Sequence, residues 1–238
     1  MSREYTFFIE NDNFTIEGEE FYHLSKVLRL KEGENIRLLN GKGDVFFGKI
    51  LKVEKRKALV SVERKEVYKR KSPYINVFIS LVSQEKRGMI VQKLTEMGIH
   101  SIFFFPSSFS KVSLSGGKKR KEEKLRKIAV GALKQSGNPF LPYIRILDKF
   151  EELLDFAGKR ILLSQDGDFL IKLDMAAERE KNINLIVGPE GGFSPEEKNF
   201  FKSNGFSEMK ISRNVLRTET AAISGAAIIS YILEVRCF

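Results

Sequence analysis

Two rhythms of apolar and polar positions divide the 238-residue chain. Over residues 5–65 the apolar positions come in strand-length runs broken by turn residues. The run 34–40 leads through Gly41, Lys42, Gly43 and Asp44, a hairpin-type turn, into 45–53, and 58–62 follows the basic trio Lys55, Arg56 and Lys57. This pattern predicts a small β-barrel. Residues 23–30 interrupt it as a helical turn, because Leu24, Val27, Leu28 and Leu30 share a roughly helical face. The charged, proline-ended stretch 68–73 reads as a linker, and beyond it strand and helix patterns alternate. Strands are predicted at 74–82, 99–105, 160–163, 183–187 and 209–211, and helices at 84–97, stopped by Gly98, at 124–135 and at 220–234. Such alternation predicts an α/β sheet with ligands at the carboxyl ends of its strands. The change of rhythm divides the chain into domains at 1–70 and 71–238.

Two strand-to-helix junctions in the second domain carry unusual chemistry. The mostly apolar run 183–187 reads as a buried strand of a mainly parallel sheet, and it ends at Gly188, Pro189, Glu190, Gly191 and Gly192. Glycines there let a ligand approach the main chain without meeting a Cβ. Ser194, Pro195 and Glu197 then supply an N-cap, a proline at the first helical position and a capping-box glutamate. The second junction, Leu216, Arg217, Thr218, Glu219, Thr220 and Ala221, sets charges and hydroxyls at the mouth of a helix whose alanines and isoleucines recur all round, which predicts extensive burial. Each junction alone has a structural explanation, a tight turn in the first case and an N-cap threonine beside an Arg217–Glu219 surface pair in the second. Two together point to a site.

Composition narrows the classes. With 42% hydrophobic and 30% charged residues the chain reads as soluble and globular, and no run approaches the length of a membrane span. The start Met1, Ser2, Arg3, Glu4 lacks a signal-peptide pattern, so a cytoplasmic location is expected. One cysteine, Cys237, excludes an internal disulfide and a cysteine-based zinc site, and two histidines, His23 and His100, argue against a histidine-rich metal site. Chemistry without a metal is expected. The net charge of +10 favours a polyanionic partner. Residues 111–127 hold eight basic side chains against Glu122 and Glu123. That segment is either a solvated helix face or a phosphate-binding surface whose affinity falls steeply with salt. No Gly-x-Gly-x-x-Gly follows the first strand of the second domain, so a dinucleotide site of the usual kind is unsupported.

The sequence Gly188-Pro189-Glu190-Gly191-Gly192-Phe193-Ser194, followed by Leu216-Arg217-Thr218-Glu219-Thr220-Ala221-Ala222, resembles the RsmE family of ribosomal-RNA uridine-N3 methyltransferases, within the SPOUT superfamily. The resemblance spans the chain. It includes His23-Leu24-Ser25-Lys26-Val27-Leu28-Arg29 with Gly33, then Lys86 with Lys93-Leu94-Thr95-Glu96-Met97-Gly98, then Gln135-Ser136-Gly137. Two departures stand out: Asn138 where the family usually has arginine, and Ser107-Ser108-Phe109-Ser110 where it commonly has a more polar segment.

The resemblance implies a PUA-like RNA-binding β-barrel at 1–70 and a SPOUT α/β domain at 71–238 with a C-terminal deep trefoil knot. It implies S-adenosylmethionine as cofactor, small-subunit (16S) ribosomal RNA or the ribosomal subunit as substrate, and a homodimer formed through the helices at 84–97 and 220–234. The cofactor residues would be Leu163, Gly188, Pro189, Glu190, Gly191, Gly192, Ile211, Val215, Leu216, Thr218, Thr220 and Ala221. Arg217 would stabilise negative charge developing on the uracil carbonyls, and Glu219 would orient it or assist proton removal, with Glu190 a competing base. Arg29, Lys86, Arg87 and Lys93 are the candidates for binding RNA, each alternatively an ordinary exposed cation. Two other readings stay open on the residues alone: a non-enzymatic RNA-binding ribosome assembly factor, and a phosphate site at the Gly188 loop, which Glu190, Glu196 and Glu197 disfavour.

Overall fold

The computed structural model describes residues 5–10, 13–110, 117–170 and 182–235. Residues 111–116, the opening of the basic segment, lie outside them. The chain forms two compact units, Met1–Arg70 with Val130–Leu141, and Lys71–Ala129 with Pro142–Phe238.

The first unit is a five-stranded sheet in the order β1-β3-β4-β5-β2. Strand β1 (Tyr5–Phe8) runs parallel to β3 (Asn35–Leu39), while β2 (Thr15–Glu17), β4 (Asp44–Val53) and β5 (Lys57–Val67) pair antiparallel. The β4–β5 ladder shifts register between Phe47 and Gly48 and again between Ile50 and Lys52, and such bulges curl a sheet. Its core gathers Phe7, Ile16, Leu24, Ile36, Leu38, Phe46 and Ile50. A second cluster joins Phe8, Leu39 and Val45 to Leu133, which draws residues 130–141 into this unit. The predicted helical turn is α1 (Gly18–Tyr22) continued by a π-helical stretch, His23–Leu28. The wider π turn breaks the expected common face: Leu24 is fully buried while Val27 is 56% exposed.

The second unit contains β6 (Ile75–Ser80), α2 (Gln84–Glu96), β7 (Ser101–Phe105), α3 (Lys118–Ser136, counted with the first unit from Val130), β8 (Tyr143–Ile146), β9 (Lys159–Phe169), β10 (Ile183–Val187), α4 (Pro195–Ser203), β11 (Ser207–Lys210) and α5 (Thr218–Val235). Its sheet has the order β11-β9-β10-β6-β7-β8, with every adjacent pair parallel. Strands β6, β7 and β10 are buried along their whole length, as parallel strands covered on both faces must be. Phe78, Phe103, Phe105, Leu162, Ile186 and Phe201 form one cluster of this core.

Three differences from the sequence pattern have physical causes. Strand β8 was not predicted: its four residues are too few for a clear alternation, and Tyr143 at its start is 56% exposed. Strand β9 continues past Leu163 through the polar Ser164, Gln165 and Asp166 to Phe169, and β11 pairs with it at Ile161 and Leu162 and, after a register shift between Glu208 and Met209, at Asp168 and Phe169. Helix α5 is buried along a stripe, Ala222, Ala226, Ile229 and Ile232, rather than all round, and its Tyr231 is 66% exposed. A Cβ on its Gly225 would lie 2.9 Å from Leu163 Cδ1, so the missing side chain seats the helix close to the sheet.

Among the described residues no helix is long and apolar enough to cross a membrane, and no three His, Cys, Asp or Glu side chains group as metal ligands. The β9–β11 junction gives a direct test of the sheet. A Cβ on Gly167 would sit 2.4 Å from the carbonyl carbon of Glu208, so Gly167→Ala must push the two strands apart. A loss of about 1–3 kcal/mol is expected as a lower urea midpoint; an unchanged midpoint would contradict this packing.

Candidate active site

The two junctions singled out in the sequence meet. After Val187 the chain turns at residues 188–192, closed by a hydrogen bond from Gly192 N to Pro189 O at 2.9 Å, with Gly192 at φ +73°. Phe193 folds back over Gly188, where a Cβ would lie 2.7 Å from the ring. Ser194 caps α4 as its position predicts: Ser194 Oγ accepts from Glu197 N, and Ser194 N donates to Glu197 Oε2 at 2.8 Å. The buried Glu197 also accepts from Ser108 N at 2.7 Å, fastening the segment after β7 beside this loop. In that segment Ser107 and Ser110 join Ser80, at the end of β6, in a three-hydroxyl cluster.

The second junction begins α5 at Thr218, where Ala221 N donates to Arg217 O at 2.9 Å. Buried Thr218 donates from Oγ1 to Gly188 O at 3.0 Å, which ties the two loops together.

Lys86, on the first turn of α2, reaches the same place. Its ammonium donates to Glu190 of the first loop and lies 3.1 Å from Glu219 Oε2 of the second. Those two carboxylates hold Lys86 above the usual lysine range, Glu190 contributing first. A raised lysine gives its full contribution below its ordinary value and loses it only as pH rises through the raised one, so this contact persists across neutral pH. Glu219 therefore faces Lys86, and Arg217 is exposed without an ion-pair partner among the described residues; the surface pair that the sequence suggested between them does not form.

A cavity of about 250 Å³ opens at the carboxyl end of β10, lined also by residues of β9 and β11. It brings together Leu163, Gly188, Pro189, Glu190, Gly192, Ile211, Val215, Leu216, Thr218 and Ala221. Gly191 faces an adjoining cleft with Ser83, Lys86 and Phe109, and neither Thr220, Arg217 nor Glu219 is among the lining residues described for the cavity. The sequence reading missed Ser164, Gln165, Asp166, Phe193 and Glu208 on the walls. Three successive polar residues after the apolar run 161–163 were the available signal for the first three. Arg29 belongs to the first unit, exposed at φ +55°. Lys93 pairs with Glu96 along α2, and Arg87 is buried. Asn138 spends its side chain in a turn, accepting from Phe140 N at 3.0 Å.

The lining has the character of a nucleoside site. Apolar walls from Leu163, Ile211, Val215, Leu216 and Ala221 suit a flat base, and a Cβ-free edge at Gly192, with nothing within 4 Å of where a Cβ would lie, exposes main chain for hydrogen bonding. Asp166, Glu190 and Glu208 outnumber the wall lysines Lys198 and Lys210, a balance that suits a cationic ligand such as a sulfonium with a free amino group better than a polyphosphate. The residues present thus fit S-adenosylmethionine.

Comparison with known proteins agrees with this geometry. Residues 70–230 match the family described as RNA methyltransferase domain, and residues 16–63 match the RNA methyltransferase PUA domain. Ribosomal RNA small subunit methyltransferase E of Bacillus subtilis is 30% identical, with 94% of this chain and 92% of that protein covered. A methyltransferase from Legionella pneumophila, solved in complex with the cofactor SAM, superposes with a TM-score of 0.84 at 26% identity, covering 97% of this chain and 98% of that one. The fold is also that of a Neisseria gonorrhoeae ribosomal RNA small subunit methyltransferase E, at a TM-score of 0.85, 24% identity and coverage of 97% and 98%. By the family match over residues 70–230 and its likeness to the Bacillus subtilis relative, the chain belongs to the ribosomal RNA small subunit methyltransferase E family of RNA methyltransferases.

Proposed function

We propose that the protein methylates N3 of a specific uridine in small-subunit (16S) ribosomal RNA, using S-adenosylmethionine held in the cavity between the two joined loops. The observation that carries this reading is the joining of the Gly188 loop to the Leu216–Ala221 junction around one cavity at an end of a parallel sheet, with the intervening Arg217 exposed and without an ion-pair partner among the described residues. Bound there, the cofactor supplies an already activated methyl group, so the chain's task is positioning. Leu163, Gly188, Pro189, Gly191, Gly192, Ile211, Val215, Leu216, Thr218, Thr220 and Ala221 are the proposed cofactor residues.

N3 of uracil lies on the base-pairing edge, so the target must be unpaired or flipped out before it can enter. Loss of its proton leaves negative charge on the flanking carbonyls. Arg217, exposed and free of a carboxylate partner among the described residues, is the proposed group that meets this charge. Glu190 lines the cavity and its side chain is 42% exposed, against 13% for Glu219. Glu190 is therefore the better placed proton acceptor, although both carboxylates hold Lys86.

The same reading assigns 1–70 to a PUA-like RNA-binding domain, with Arg29 among its contacts, and 71–238 to a SPOUT domain. Lys93 and Arg87 are proposed RNA contacts of the second. Insertion of β10 between β9 and β6, followed by β11 and α5, supports a deep trefoil knot in the C-terminal segment. Ribosomal RNA as substrate supports a cytoplasmic setting. The exposed apolar side chain of Tyr231 on α5 supports a homodimer.

Single-turnover methylation of small-subunit ribosomal RNA tests the assignment. Arg217→Ala should lower the rate by about 10²–10³ while leaving S-adenosylmethionine affinity unchanged. A normal rate removes Arg217 from the chemistry, and an inactive wild-type protein that still binds RNA points to an assembly factor instead. For the dimer, light scattering of Tyr231→Glu should report a monomer where the wild-type protein is a dimer; a monomeric wild-type enzyme would contradict it.

A further inference from the structure

Arg87 is the one cation of α2 that the structure leaves in an energetically awkward place. Its side chain is buried, at 4% exposure, and its Nε and Nη1 have no hydrogen-bond partner. Burial alone pulls the guanidinium below its usual value, with no carboxylate to offset it. A guanidinium does not deprotonate in proteins, so an uncompensated one inside a fold costs stability until an anion completes it.

The surroundings say which anion. Arg87 lines a groove of about 690 Å³ between α2 and the first turns of α3, shared with Gln84, Lys121 and Lys124 and floored by Met89 and Ile128. Met89 and Ile128 are 47% and 37% exposed. Glu85 also lines the groove, yet it makes no pair with Arg87. Three cations and the amides of Gln84 and Gln92 around a partly open apolar floor match a phosphate with its nucleoside.

We propose that the α2–α3 groove is a separate subsite for one nucleotide of the RNA substrate, in which a backbone phosphate supplies the acceptors that Arg87 lacks. This rests on the RNA methyltransferase reading above and adds to it a second binding place on the same unit. It also explains why a charge would be kept buried without a partner. The site trades stability of the free protein for affinity.

Two variants separate this from a structural arginine. Arg87→Met removes a buried charge while keeping volume, so it should raise Tm by about 2–4 °C. In anisotropy titrations with a fluorescein-labelled, uridine-containing RNA hairpin, it should weaken binding about tenfold and flatten the slope of log K against log salt by about 1. S-adenosylmethionine affinity should not change. Lys124→Glu, at an exposed position, should weaken RNA binding in the same direction whether or not Arg87→Met folds. Wild-type RNA binding with both variants unaffected overturns the groove and leaves the functional reading standing. A fall in Tm with RNA affinity intact makes Arg87 structural and overturns the proposal. Loss of a dimer in sedimentation, with RNA affinity intact, assigns the groove to a second copy of the chain and overturns it as well. A wild-type protein that binds S-adenosylmethionine but no RNA at low salt overturns the functional reading itself, and the groove with it.

Discussion

Gly188 and Thr218 lie 30 residues apart, and the hydrogen bond between them holds the two walls of the cavity at one spacing. The sheet makes this contact possible. Because β10 lies between β9 and β6 while β11 joins the far side of β9, the loop leaving β10 and the junction after β11 emerge at the same end. Thr218 is buried, so its hydroxyl must find a protein acceptor, and the carbonyl of Gly188 is the acceptor it finds. Such a bond contributes only about 1 kcal/mol net, but leaving its buried partner unsatisfied costs about 1–3 kcal/mol. The loops are therefore held in register as much by the penalty for separating as by the attraction itself.

Lys86 adds a third element to the same constraint. From α2 it contacts Glu190 on one loop and Glu219 on the other, so one cation bridges two carboxylates that would otherwise repel, and one negative charge is left over. This arrangement divides the charges by task. The acidic groups beside the cavity favour a cationic cofactor, Lys86 is occupied in holding them, and Arg217 is left available for charge that develops on a substrate. Glu197 plays a comparable role one layer out, capping α4 and fastening the segment that carries Phe109 beside Gly191.

Much of this was legible in the sequence where the signal is local. The glycines of 188–192, the cap at Ser194 and the hydroxyls of the second junction each announce their conformation within a few residues, and they point to the two loops that the structure joins. What required the third dimension is what depends on distant partners. Lys86 and Glu190 are 104 residues apart, and a charge carries no label of its counter-charge, so Lys86 reads as an exposed RNA contact. Glu219 was paired with Arg217 because they are close in sequence, although a helix start turns them different ways. The fold follows the same rule. The continuous apolar strands are plain, whereas β8 is too short, and the far end of β9 at Asp168 and Phe169 finds its partner in β11, far along the chain. Residues 130–141 pack with the first unit through Leu133, a long-range choice that a change of local rhythm at residue 70 does not show.

Whether the joined loops form one cofactor site is measured directly by calorimetric titration of Thr218→Val with S-adenosylmethionine. The substitution keeps the shape of the side chain and removes only the hydroxyl that reaches Gly188. A folded variant with affinity reduced by about tenfold, matching the loss of about 1.4 kcal/mol, is the predicted result. A folded variant that binds the cofactor as tightly as the wild-type protein would contradict it.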